Sequence, residues 1–115
     1  AMLRAPEGRE PPALAALARL DDAGFRQAFR ATPVKRIGRD RFLRNVAIGL
    51  GNAPRDGETL AAIDRLLEDA SALVRGAAVW ALARQGAAGE FARRREKSLA
   101  AEADPEVRAE WLSVP

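Results

Sequence analysis

The chain has 115 residues, a size that fits one domain built around one core. Its 48% hydrophobic and 30% charged residues are those of a soluble globular protein, and no apolar run approaches the roughly 18 residues of a membrane span. Cys and His are both absent, which excludes thiolate and imidazole metal sites, disulfides, Cys-held iron–sulfur clusters and His-dependent catalytic triads. With 26 Ala, 17 Arg against 2 Lys, no Tyr and 5% aromatic residues, the composition favours helix over strand. The net charge of +3 is unevenly placed. Between Arg26 and Arg55 eight basic residues stand against one acid, Asp40, which leaves eleven basic and fifteen acidic residues elsewhere. One segment therefore carries +7 and the remainder −4. Its natural partner is a polyanion or an acidic protein surface, with a merely solvated Arg-rich face as the plain alternative.

Residues 1–10 contain Pro and Gly without an apolar period and read as a tail or linker, followed by one helical domain over 11–115. There is no secretory or transit-peptide pattern, and with no Cys this suits the cytoplasm. Pro12 opens a predicted helix over Ala13 to Leu20, and Asp21 or Asp22 caps the next, Ala23 to Arg30. Thr32-Pro33 interrupts, and a short basic connector follows. Asp40 caps a helix from Arg41 to about Leu50, ended by Gly51-Asn52-Ala53-Pro54. A helix over Glu58 to Asp69 gathers Leu60, Ile63, Leu66 and Leu67 on one side. Ser71 caps Ala72 to Gln85, Gly86 stops it, Glu90 to Ala103 comes next, and Asp104-Pro105 starts a last helix through Trp111.

These pieces are self-similar. FLRNVAIGL around Arg44, LVRGAAVWAL around Arg75 and EVRAEWL around Arg108 align Leu43, Val74 and Val107, at Arg spacings of 31 and 33 residues that suit a helical hairpin. The pattern from Asp69 to Leu82, repeated in shortened form from Asp104 to Ala109, resembles the HEAT-like repeat. The resemblance implies an all-α fold of HEAT-like hairpins, a short α-solenoid of six to seven helices. Small residues permit close packing, so Ala77, Ala78 and Ala81 with Val74 and Leu82 are the predicted tight seam. In such repeats the Arg ties neighbours together, so Arg75 and Arg108 are expected to be structural, with Asp69 and Asp104 as partners or caps. Trp80 and Trp111 are expected in core or repeat-interface packing.

The helix around Arg44 differs in carrying a polar stripe. At 100° per residue, Arg41, Arg44, Asn45 and Asn52 share one side with Ile48, opposite Phe42, Leu43, Val46, Ala47 and Leu50. Gly49 and Gly51 border the stripe, each costing about 1 kcal/mol against Ala unless another backbone lies close. Another helix of the domain is the plain candidate for that neighbour. Upstream, Lys35, Arg36 and Arg39 surround Gly38, and Arg forks beside free N–H groups suit a phosphate. By spacing alone, nucleic acid, acidic peptides and partner domains all remain candidates.

The stretch PVKRIGRDRFLRNVAIGLGN, Pro33 to Asn52, followed by LVRGAAVWALAR, resembles the C-terminal region of epoxyqueuosine reductase. The lead-in Leu20 to Phe29 and the closing EADPEVRAEW fit the same family, so the resemblance runs from about Ala13 to near the end. It implies a parent that uses [4Fe-4S] clusters and cobalamin to complete queuosine at the tRNA wobble position. A Cys-rich ferredoxin-like segment and a cobalamin-binding catalytic domain precede this region in the family. Neither is in this chain, which alone is therefore expected to hold no cofactor and to catalyse nothing. By the resemblance, the domain helps hold the tRNA anticodon stem-loop. Lys35, Arg36, Arg39, Arg41 and Arg44 would contact phosphate or ribose, and Asn45 and Asn52 a base edge or 2′-OH. A competing reading has the same residues dock onto the catalytic domain of the parent. A HEAT-like scaffold for another protein and a duplex-DNA module like the alkylpurine glycosylases are the remaining alternatives. The resemblance gives no membrane role and no oligomeric state.

Overall fold

The computed structural model describes residues 14–28, 34–86 and 88–114, with the backbone alone at 34–37. The expected tail over 1–10, Pro12, Arg30 and Thr32-Pro33 lie outside these residues. All regular structure among them is helical: α1 Leu14–Leu17, α2 Asp22–Ala28, α3 Val34–Asn52, α4 Gly57–Leu66, α5 Ala72–Arg84, α6 Ala88–Leu99 and α7 Pro105–Leu112. No described helix is long and apolar enough to cross a membrane.

The starts follow from side-chain oxygens that accept the orphan N–H groups of a first turn. Asp21 Oδ1 accepts from Gly24 N at 2.7 Å, so Asp21 is the cap of α2. Asp56 Oδ1 accepts from Thr59 N at 2.7 Å, which starts α4 at Gly57, one residue ahead of the expected Glu58. Ser71 caps α5 and Asp104 caps α7 with Pro105 in the first turn, both as expected. The basic connector is a correction. Its backbone is helical from Val34, and Gly38 breaks the helix at φ 79°, ψ 162°, a left-handed conformation that glycine adopts without a Cβ penalty. The helix resumes beyond it, so Arg39 and Asp40 sit at the start of a second helical segment.

Helices α3, α5 and α7 pack in sequence as a central row, with α4 against α3 and α5, and α6 against α5 and α7. The core is the set the periodicity picks out. Leu43, Ala47, Val74, Ala78 and Ala81 are fully buried, joined by Phe42, Val46, Leu50, Ile63, Leu66, Val107 and Trp111. The seam holds in Val74, Ala78, Ala81 and Leu82, with Ala77 only partly buried. Phe25 meets Phe42 at 5.4 Å between centroids, and Phe91 meets Trp111 at 5.2 Å, which pins α2 and α6 onto the row. Gln85, also buried, donates through Nε2 to the carbonyls of Leu50 at 2.8 Å and Ala53 at 3.2 Å, where α3 runs out of intrahelical donors.

The two glycines of α3 have different neighbours. A Cβ on Gly51 would stand 2.9 Å from the Ala81 Cα and 2.8 Å from the Trp80 ring, so this glycine lets α3 and α5 close on each other. A Cβ on Gly49 would meet only the tip of Leu14, at 2.9 Å. Helix propensity alone favours Ala at both sites by about 1 kcal/mol. Gly51→Ala is nevertheless expected to lower the urea midpoint, with a net loss of about 1–3 kcal/mol from overpacking against backbone. Gly49→Ala is expected to be neutral or mildly stabilising because a leucine tip can turn aside. Equal gains at both positions would contradict the packing.

Candidate functional site

The basic residues divide into those held by the fold and those left to solvent. Arg39 belongs to the first set. Its Nη1 donates to Asp69 Oδ2 at 3.1 Å, its Nη2 to the other oxygen, and its Nε to the Leu20 carbonyl at 2.9 Å. Arg75 repeats the geometry one unit on. It forks onto Glu102 through Nε and Nη2, both at 2.9 Å, while Nη1 reaches the carbonyls of Asp69 and Ala70 at 3.0 Å. Arg108 continues the series onto the carbonyls of Leu99 and Glu102. Each carboxylate of the ladder also accepts the N–H of the following helix cap, Ser71 for Asp69 and Asp104 for Glu102.

This ladder upholds the structural reading of Arg75 and Arg108 and corrects its register. The aligned apolar residues Leu43, Val74 and Val107 are all buried, yet in the first unit the tie is made by Arg39, five residues ahead of Arg44. Asp104 is a cap, and the carboxylate partner of Arg75 is Glu102. Sequence held a signal for this: Asp69 lies six residues before Arg75, as Glu102 lies six before Arg108.

Charge follows the same geometry. Burial alone would raise the Asp69 carboxyl, but the Arg39 and Ser71 hydrogen bonds and the nearby Arg39 and Arg75 charges outweigh it and hold the group below the usual aspartate value. For Glu102 the Arg75 hydrogen bonds are the largest effect, and they keep it ionised against its own desolvation. On α6, Arg94 is likewise taken up, by Asp64 and Glu68 of the α4 hairpin.

Arg41, Arg44, Asn45 and Asn52 form the second set, exposed along α3. Arg41, Arg44 and Asn45 line one shallow depression together with Leu73 of α5. Asp40, the acid nearest in sequence, accepts from Arg39 at 3.0 Å. Neither Arg41 nor Arg44 has a carboxylate partner among the described residues; Arg44 reaches only the Asn45 side chain, at 3.4 Å. Two unpaired cations three residues apart on one helix face repel each other, and an anion between them relieves the repulsion. Asn52 donates to the Ile48 carbonyl at 3.2 Å and accepts from Arg84 Nη2 at 3.1 Å. Arg84, which sequence reasoning missed because it lies 32 residues from Asn52, thus extends the stripe across to α5. The side chains of Lys35 and Arg36 lie outside the described residues. Of the seven residues expected at the site, the structure places Arg41, Arg44, Asn45 and Asn52 on one open face and turns Arg39 inward.

Fold and stripe together define a helical body that presents an anion-attracting face. The comparisons with known proteins place the chain more closely: it is related to epoxyqueuosine reductases. That of Xanthomonas campestris is 47% identical over 66 residues, 57% of this chain and 19% of the relative. That of Alicycliphilus denitrificans is 44% identical over 88 residues, 70% of this chain and 24% of the relative. That of Shewanella oneidensis is 33% identical over 78 residues, 66% of this chain and 20% of the relative. The chain thus matches about a fifth to a quarter of the length of these curated relatives. No protein-family model and no solved structure matches it.

Proposed function

We propose that this chain is an RNA-positioning module of an epoxyqueuosine reductase-like protein, one that helps hold the tRNA anticodon stem-loop while another part of that protein carries out the reduction. The observation that supports it is the division among the arginines. Where the fold needs a cation, at Arg39, Arg75 and Arg94, it supplies a carboxylate; along Arg41 and Arg44 it supplies none among the described residues. In this reading Arg41 and Arg44 bind phosphates, Lys35 and Arg36 extend that contact upstream, and Asn45 and Asn52 reach ribose or a base edge. Arg39 acts indirectly, by fixing the start of the helix that bears the stripe.

The packed hairpins α4–α5 and α6–α7 are read as HEAT-like repeats, with the arginine ladder as the tie between units. The [4Fe-4S] clusters of the parent family do not fit this chain's own residues, and its cobalamin is assigned with them, on this proposal, to the catalytic part of the parent. The chain has no Cys or His, and no acidic cluster able to hold a metal is found among the described residues.

The test is a titration of the 115-residue chain with a tRNA anticodon stem-loop across a salt series. Phosphate contacts predict a log–log slope of roughly −0.7 to −0.9 per contact, hence about −1.4 to −1.8 from Arg41 and Arg44 and a steeper slope where Lys35 and Arg36 add to them. A slope near zero, or no binding at low salt, would overturn the proposal and favour a docking surface for the catalytic part of the parent.

A further inference from the structure

Beside the basic stripe, a groove of about 420 Å³ runs between α3, α5 and α7, and its walls differ in charge. Arg44 stands on one side and Asp104, Glu106 and Glu110 on the other, with Ile48, Leu73 and Trp80 among its apolar lining; Asp104 is already engaged as the cap of α7. Leu73 is 45% exposed, unusual for a large apolar side chain in this protein, and Trp80 is half-buried with the Arg84 guanidinium 5.7 Å from its ring centroid. Glu106 and Glu110 lie one turn apart on α7, and neither forms an ion pair among the described residues.

We propose that this groove takes one unstacked nucleotide of an RNA strand. Its phosphate lies against Arg44, its base over the Leu73 and Trp80 surface, and an exocyclic amine donates to Glu106 or Glu110. The inference rests on the RNA-positioning reading and names a subsite within it. The charge order selects the occupant. A continuing phosphate backbone is repelled by the three carboxylates of Asp104, Glu106 and Glu110, so only the base end of a nucleotide enters on that side. A cation at one wall, an aromatic and aliphatic floor, and acceptors at the far wall match, in sequence, the phosphate, the π-face and the amino edge of adenine, cytosine or guanine. The volume suits a ligand of that size. Uracil, which presents a carbonyl where cytosine presents an amine, meets the carboxylates unfavourably.

The experiment uses the 115-residue chain and short single-stranded RNA oligomers of adenine, of uracil and of abasic ribose phosphate. Trp111 is only 1% exposed, so quenching by an oligomer reports on Trp80. The adenine oligomer is expected to quench the fluorescence and to bind about tenfold more tightly than the abasic one, with uracil between them. By anisotropy of labelled oligomers, Trp80→Leu is expected to remove that tenfold advantage and leave abasic binding unchanged. Glu106→Gln/Glu110→Gln, a surface change that keeps the fold testable if the Trp80 variant unfolds, is expected to narrow the preference for adenine over uracil. Equal binding of adenine and abasic oligomers with no quenching, at an intact phosphate-type salt slope, would overturn the subsite and leave the RNA-positioning reading standing. No binding of any oligomer at low salt would overturn both.

Discussion

Replacement of Trp111 by alanine is expected to remove about 3–5 kcal/mol of folding stability, the largest loss from any single substitution in this chain. Trp111 is the largest of the fully buried side chains and is 1% exposed. Its ring packs on Phe91, whose own face lies under the Arg95 guanidinium at 5.5 Å, and Arg95 Nη1 in turn donates to the Val114 carbonyl at 2.7 Å. Truncation therefore opens a cavity where α6, α7 and the closing residues meet. A domain of this size is stable by about 5–15 kcal/mol in total, so the variant should unfold at a much lower urea concentration. Trp111→Phe, which keeps a ring in the site, should recover most of the loss. A midpoint for Trp111→Ala within a few tenths molar of wild type would show that the α6–α7 unit does not pack as described.

The second large effect is expected at Asp69. Asp69→Asn leaves the Arg39 guanidinium, 16% exposed, facing a neutral amide, with one acceptor oxygen in place of the two that now serve Arg39 and the Ser71 N–H. Breaking a fully buried pair costs about 3–5 kcal/mol and a surface pair under 1, so about 2 kcal/mol is the expected loss for this partly screened one. The pH dependence carries the sharper signature. Asp69 and Glu102 both have folded-state values held below those of the unfolded chain. Their stabilisation is therefore complete above the ordinary carboxylate range and is lost as the pH falls through the depressed folded values. Wild-type stability should decline steeply from about pH 4.5 downward, and the Asp69→Asn variant should start lower at neutral pH and decline less. Parallel pH profiles for the two proteins would show that the ladder is not an ionic tie.

The parts of the fold legible in the sequence were those set by local chemistry. Ser71 and Asp104 announce the starts of α5 and α7, and the apolar period of α3 gives its buried face from Phe42 to Leu50 residue for residue. The open side of the same helix was legible by the same arithmetic, which is why Arg41, Arg44, Asn45 and Asn52 emerge together. Long-range pairings were not. Nothing local to Arg39 distinguishes it from Arg41, because its role depends on Asp69, thirty residues away, arriving beside it when α3 and α5 close. The helical start at Val34 was hidden by Gly38, which reads as a connector residue and instead serves as a left-handed break within a continuing helix. Gly51 was recognisable as a point of close approach, but only the fold identifies Ala81 and Trp80 as what approaches.

Charge reversal at two sites tests most directly whether RNA is held by the exposed stripe of α3. Arg41→Glu/Arg44→Glu inverts the stripe, while Arg93→Glu/Lys97→Glu changes the net charge equally at exposed positions of α6. With an anticodon stem-loop at low salt, the first pair is expected to weaken binding by well over tenfold and to flatten the salt slope by about two contacts, with the second pair changing affinity only a few-fold. Equal losses from both pairs, or none from the first, would contradict the account.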